Sequence, residues 1–418
     1  MSTTSGMSRR HRIIVVLAAS LAFLLKLYLA LFTGGSLDAA SFADHLAKVE
    51  QLGVGAYHVR GVFNNPFNSP PFVIHFLKAL GWLAHQTQLP FVFWLRLPCL
   101  LADAGSLFLV WKLMERSHAP RRMHAAVWLL VILALSPVSI IVSGYHGNTD
   151  PVMIFFVLLS ACLLETRGDD DNDRRVLLAA IAFGLALNFK VAPLIFAPAV
   201  WFYLPQFKRR VEFFAVAALV FLVGSLPYIL SDPFVITRSV FGYGSIYGHW
   251  GWTHLAAKLF PASLRFARPP HDVVGAHAVA AAFGKWLLLA LIVTAAFLFN
   301  RRRSEDDNKP PLVLQLGFAA ALFLFLTPGF GSQYLSWLAP FVVVLGLRAS
   351  LLYFVAGGLF LSVSYSCFVY RALPPFYCVA PLTESLMPLC WASIFVVLIQ
   401  YARALRKQTR DGNILISN

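Results

Sequence analysis

Apolar runs of roughly 20 residues, broken by short polar or basic stretches, recur along the chain. Runs of that length span a bilayer as helices, whereas the strands of a membrane barrel would show as alternating segments of about 10 residues. The pattern therefore predicts an all-α polytopic membrane protein. The first run covers about 12–33. The polar stretch "GGSLDAASFADHLAKVEQ" (34–51) follows it, with Phe42, Leu46 and Val49 recurring at i, i+4 and i+7. That spacing predicts an amphipathic helix suited to a membrane surface. Two more apolar stretches follow, 70–84 and 90–113. The first is short and carries His75 and Lys78, so 90–113 reads as the crossing. Residues 34–89 read as one large outer loop with a juxtamembrane or re-entrant segment.

Composition agrees with the pattern. Of 418 residues, 59% are hydrophobic and 13% charged, and the mean hydropathy is +0.70. A soluble protein could not cover so apolar a surface. The formal net charge of +15 would suit nucleic acid or a membrane. Here the basic residues sit in short clusters between apolar runs, as the positive-inside rule expects, and no nucleic-acid partner is implied. The start "MSTTSGMSRRHR" reads as the inner flank of a retained signal anchor. The five cysteines (Cys99, Cys162, Cys367, Cys378, Cys390) show no metal spacing; Cys367 and Cys378 read as a disulfide or, in preference, as free thiols.

The basic clusters thread the membrane. "ERSHAPRR" (115–122), "QFKRR" (206–210), "NRRR" (300–303), Arg348 and "RALRKQTR" fall inside. The segment 176–204 has basic flanks on both sides and must turn back. Its arms of about 14 residues reach only about 21 Å against a core of roughly 30 Å, so the turn "NFKVAP" (188–193) lies at membrane depth. Broken backbone there is tolerated only inside protein or beside a wet cavity, which would contain Lys190. About twelve crossings result, with both termini inside. The chain reads as a single integral-membrane domain over 1–418, with outer loops at 34–89 and 231–280.

This threading leaves few acids outside: Asp38, Asp44, Glu50, Asp150, Asp232, Asp272 and Glu384. Asp44 can pair with Lys48 at i, i+4. Asp38 has two readings, a helix N-cap or a general base. "FNSPPF" (67–72) stops one helix before the next. "SPVSIIVSGYHGNTDP" (136–151) crowds His146, Asn148 and Asp150 into a short outer turn. Asp150 before Pro151 is either an N-cap or a site residue, and His146 and Asn148 either face solvent or hydrogen-bond a sugar. Lys190 is an intramembrane cation that needs a named partner. A lipid phosphate is the natural one, snorkelling is the alternative, and Asp103 is placed to neutralise Lys190 or Arg96. The aromatic loop 231–280 carries Arg238 and His249, and "GFGSQYLSW" (329–337) carries Gln333 and Tyr334. Both suit sugar stacking or an interfacial belt.

In order along the chain, these motifs resemble the GT-C superfamily of membrane glycosyltransferases, which use polyprenyl-phosphate sugars. "DAASFADHLAKVEQLGVGAY" followed by "FNSPPF" is similar to the first-loop pattern of the GPI-anchor first mannosyltransferase and of bacterial polyprenyl-phosphate-mannose α-mannosyltransferases. "GYHGNTD", "NFKVAPLIFAP" and "QYLSWLAP" resemble later motifs of those enzymes. The resemblance implies a GT-C-like bundle with Asp38 as catalytic base and Asp44 as a second acid of the same helix. It also implies substrate contacts among Lys190, His146, Asn148, Asp150, Gln333, Tyr334, Arg238 and His249. The donor would be a polyprenyl-phosphate hexose, with mannose the first choice, and the acceptor a glycan, lipid or glycolipid hydroxyl. Transfer would invert the sugar on the outer face of a bacterial plasma membrane, or on the lumenal face of the ER in a eukaryote. Ser36-Leu37-Asp38 departs from the Asp-x-Asp of some relatives, which weakens a bridged metal. No cofactor is expected, and a divalent metal stays open. Asn148 stands where glutamine is usual. A transporter or flippase of a lipid-linked substrate is the rival reading, for which paired halves with matching broken helices would be the sign.

Overall fold

A computed structural model describes residues 7–53, 67–117, 123–166, 172–232, 234, 240, 245–259, 275–301, 310–368 and 380–411. The described chain is helical throughout, apart from an isolated bridge between Ile246 and Phe330. The helices are α1 (Arg9–Phe32), α2 (Leu37–Leu52), α3 (Phe72–Thr87), α4 (Phe91–Ser117), α5 (Met123–Leu135) and α6 (Pro137–Ser139). A π turn at Ile140–His146 leads to α7 (Asp150–Glu165) and α8 (Asn172–Phe189). Then come α9 (Ala197–Tyr203), α10 (Phe207–Ser231), α11 (Gly251–Leu259), α12 (Gly275–Arg301) and α13 (Leu312–Leu326). α14 (Leu335–Val342), α15 (Leu347–Phe368) and α16 (Ala380–Asp411) complete the order.

Seven helices among the described residues are long and apolar enough to cross a membrane. They are α1, α4, α5 continued to His146, α10, α12, α15 and α16. Spans of that length and composition mark an integral membrane protein. The other segments read as crossings (α7, the two arms α8 and α9, α13 and α14) are shorter helices packed within the bundle. α1, α10 and α12 carry a row of large exposed apolar side chains, among them Leu17, Leu21, Phe32, Val223, Leu230, Phe283 and Trp286. Surface of that kind needs lipid rather than water. The core runs through α4, α5, α7, α8 and α13 to α16.

The positions of α2 and α3 follow the sequence pattern. α2 forms where the i, i+4, i+7 stripe placed it, and the stripe lies on protein. Ala39, Phe42, Leu46 and Val49 pack with Val73, Ile74, Leu77 and Leu80 of α3 and Leu95 of α4. α3 begins directly after Pro70 and Pro71; at 1.5 Å per residue it is too short to cross. The turned-back segment also breaks where charge placed the break. α8 ends at Phe189, a 3-10 turn covers Ala192–Ile195, and α9 follows.

Candidate active site

Asp38 sits in the first turn of α2, and its position depends on the residue two before it. Ser36 is the N-cap: its Oγ accepts the Asp38 N–H at 3.1 Å. The same hydroxyl donates to the His146 carbonyl at 2.6 Å, and the Ser36 N–H reaches that carbonyl at 3.3 Å. Ser36 therefore takes the capping role and ties α2 to the end of the π turn. The Asp38 carboxylate is left to face the "HGN" turn. Its Oδ2 accepts from Asn148 Nδ2 at 2.5 Å and faces His146 Nε2 at 3.1 Å. Asn148 Oδ1 takes the Thr149 N–H at 2.6 Å, which fixes the amide so that its NH₂ points at Asp38. His146 Nδ1 is 2.7 Å from the Tyr365 hydroxyl of α15, and Ser332 Oγ lies 3.3 Å from that hydroxyl. Because the ionised Asp38 carboxylate can only accept, Nε2 carries the proton of this bond, and in the neutral ring Nδ1 accepts from the Tyr365 hydroxyl.

The charge on Asp38 follows from this setting. Burial raises its pKa, but the His146 charge, the hydrogen bonds from His146 and Asn148, and the Lys190 charge outweigh burial. Together they hold the carboxyl well below the usual carboxylate range. The side chain is 38% exposed, so the ionised group is also reachable.

Lys190 stands at the break after α8 and is paired with a protein carboxylate. Lys190 Nζ donates to Asp150 Oδ1 at 2.9 Å and Oδ2 at 2.7 Å. Trp337 Nε1 donates to Asp150 Oδ1 at 2.5 Å. The ammonium also lies 5.4 Å from the Tyr334 ring centre and 5.8 Å from that of Trp337, in cation–π range. The N-cap of α7 is Thr149, so Asp150 is a buried counter-ion and not a cap. Asp103 neutralises neither Lys190 nor Arg96: it pairs with Lys26 of α1. Arg96 is fully buried instead against the end of α1, where Nη1 donates to the Leu29 carbonyl at 2.8 Å and the Thr33 carbonyl at 3.0 Å. A guanidinium there satisfies carbonyls that the helix end leaves open.

Residues 68–235 match the family model described as dolichyl-phosphate-mannose-protein mannosyltransferase. The match makes this stretch, less than half of the chain, similar to a family of membrane glycosyltransferases. No curated protein and no solved structure matches it. The matched stretch contains α3 to α10, with the His146–Asp150 turn and Lys190, and stops short of α2 and the late helices.

The other expected site residues divide. Asp44 lies six residues beyond Asp38, roughly 120° away around α2, and the bonds from His146 and Asn148 do not involve it. Tyr334 flanks Lys190. Gln333 shares its 3-10 turn, with the side-chain amide lying against Gly331. His249 has His254 and Glu384 as its charged neighbours, and burial pushes its pKa down to about 4, with the His254 charge adding and Glu384 opposing. Arg238 and the Cys367–Cys378 pairing lie outside the residues whose side chains are described. Among the described residues no three His, Cys, Asp or Glu side chains gather as they would around a metal ion. Ser36 was legible as a Ser N-cap before a periodic run. Trp337 lies in the 329–337 stretch and Arg96 was a candidate partner of Asp103, whereas Tyr365 and Ser332 carried no signal of their own.

The turn is held by backbone geometry as well. Gly147 ends the π turn with φ +78°, and a Cβ there would stand 2.9 Å from the Ala39 Cβ. Gly147→Ala should therefore cost about 1–2 kcal/mol from the left-handed backbone alone, with the contact on α2 adding to it. Thermal unfolding in detergent measures the loss; an unchanged midpoint would mean that α2 does not rest on this turn.

Proposed function

We propose that the protein is a GT-C membrane glycosyltransferase that moves a hexose, mannose as first choice, from a polyprenyl-phosphate donor to an acceptor hydroxyl, with inversion. The supporting observation is the split use of the Asp38 carboxylate. Both hydrogen bonds fall on Oδ2. Oδ1 has no partner among the described residues, and the side chain is partly exposed. One oxygen is thus tethered and the other is free to take a proton.

The reaction follows from that geometry. Asp38 Oδ1 accepts the proton of the acceptor hydroxyl as its oxygen forms the new bond to the anomeric carbon. The bond from that carbon to the phosphate oxygen breaks on the opposite face, so configuration inverts and polyprenyl phosphate leaves. Asn148 and His146 hold Oδ2, so the base meets the acceptor already oriented. Two N–H groups of Lys190 are spent on Asp150, and the third is the one that would meet the donor phosphate. Because Asp150 cancels the charge of Lys190, this subsite works by a placed donor and by the Tyr334 and Trp337 faces more than by net positive charge. The donor carries its own leaving group, and no step uses a cofactor. The acceptor site lies on the α2 side of the bundle, which the charge threading puts outside.

The test is transfer in proteoliposomes with a panel of polyprenyl-phosphate sugars beside nucleotide sugars. Transfer from polyprenyl-phosphate mannose, with the opposite anomeric configuration in the product by NMR, is the expected result. Transfer only from nucleotide sugars would overturn the donor, and retained configuration would overturn the single displacement.

A further inference from the structure

An ion pair inside the bundle has no part in the reaction just described. Lys26 lies in α1 and Asp103 in α4, with side chains 4% and 22% exposed. Charges at such depth are costly, and an ion pair there is weak evidence for stability. The pair also does more than neutralise itself. Lys26 Nζ donates to Ser139 Oγ at 2.7 Å, and Ser139 donates onward to Asp103 at 3.0 Å. Ser143 Oγ donates to Asp103 Oδ1 at 3.3 Å. A cavity of about 20 Å³ lies against Asp103, Ser106, Ser139, Ser143 and Ser336, with room for about one water among polar partners.

Both bonded serines belong to the segment that delivers His146. Ser139 closes α6, and Ser143 lies in the π turn three residues before His146. From the other side, Gly144 packs so closely on α1 that a Cβ there would stand 2.9 Å from Lys26 Cα. The segment is thus held at its side chains by the ion pair, Ser139 by Lys26 and Asp103 and Ser143 by Asp103, and at its backbone by the close approach of Gly144 to Lys26. A π turn is an α-helix with an extra residue, and reverting to α register would rotate the end of the turn by about 100°. His146 would then leave Asp38. Apolar packing alone tolerates such slippage, whereas directional bonds to two serines select one register.

We infer that Lys26 and Asp103 are positioning residues. Through Ser139 and Ser143 they hold the π register of Ile140–His146, and so set His146 against Asp38. The inference rests on Asp38 as the base.

The experiment compares wild type, Lys26→Met/Asp103→Leu and Asp38→Asn in proteoliposomes with polyprenyl-phosphate mannose. The double variant removes both charges together and leaves neither unpaired. It should unfold near the wild-type temperature and keep the donor KM within about two-fold, while kcat falls about 10- to 100-fold. The acid limb of kcat/KM should move to higher pH, because of the groups that face Asp38 (His146, Asn148 and Lys190) the first would be displaced. A role in stability alone would move neither reading in folded protein, so wild-type kcat and pH profile in the folded double variant overturn the inference. Should that variant not fold, Ser139→Ala/Ser143→Ala keeps the ion pair and cuts its reach; wild-type kcat there overturns the inference equally. If Asp38→Asn itself transfers normally, the base assignment fails. If Asp38→Asn is inactive and the double variant fully active, only the positioning role fails.

Discussion

Asp38→Asn should lower kcat for sugar transfer by about 10²- to 10⁴-fold, the range that a positioned general base supplies. The fold should survive the change. Asparagine keeps an oxygen for the Asn148 and His146 bonds, and the cap on α2 comes from Ser36 through the backbone N–H of residue 38. Donor KM should change little, because Lys190, Asp150 and Trp337 form a separate cluster. Asp44→Asn, on another face of α2, should cost far less. Acidity supplies a second reading of the same group. The folded pKa of Asp38 lies below its unfolded value of about 3.9. Its contribution to stability is therefore present above about pH 3.9 and is lost as pH falls through the lower, folded value. For the same reason the base is ionised throughout the neutral range. His146→Phe removes the largest influence holding that pKa down and should move the acid limb of kcat/KM upward. Near-wild-type transfer by Asp38→Asn would falsify the assignment.

Which parts of this arrangement could be read before folding depends on the range of the interaction. The α2 stripe of Phe42, Leu46 and Val49 is a local periodicity, and it packs as the spacing required. The helix break at Lys190 followed from two basic flanks and a segment too short to cross twice, a constraint that the bilayer imposes without tertiary knowledge. His146 and Asn148 were marked by their crowding into one short turn. Their meeting with Asp38 spans 108 and 110 residues of chain, and order along the sequence hinted at it only through a resemblance. Tyr365, 219 residues from His146, had no such hint. Charge pairing was the least legible part. Asp103 was matched to Lys190 or Arg96 because an intramembrane acid needs a cation. Lys26, in the middle of the first apolar run, carries no local mark that singles it out as the partner of an acid 77 residues away. For Lys190 the natural partner by sequence is a lipid phosphate, and Asp150 before a proline reads as either a cap or a site residue, so the Lys190–Asp150 pair is not legible locally. In each case sequence showed that a charge needed a partner, and only the packing of α1, α4, α7 and α8 showed which.

Lys190→Met should destabilise the protein by about 3–5 kcal/mol, the cost of leaving one partner of a buried ion pair alone. Asp150 is 0% exposed, and without Lys190 the Trp337 N–H is its remaining neighbour in the cluster. A loss of activity in Lys190→Met alone would therefore not separate a binding role from misfolding. Lys190→Met/Asp150→Asn separates them. It removes both charges, keeps an oxygen for Trp337, and should recover most of the unfolding temperature, since exchanging a whole buried pair for neutral groups is often neutral or stabilising. Recovery of the fold should not recover the donor. With the ammonium gone, the third N–H and the cation that rests on the Tyr334 and Trp337 rings are lost, so donor KM should rise in the double variant while the protein stays folded. Thermal unfolding in detergent and donor titration in proteoliposomes read the two effects apart. Wild-type stability in Lys190→Met would show that the pair is not closed in the membrane, and wild-type donor KM in the folded double variant would remove Lys190 from the donor site.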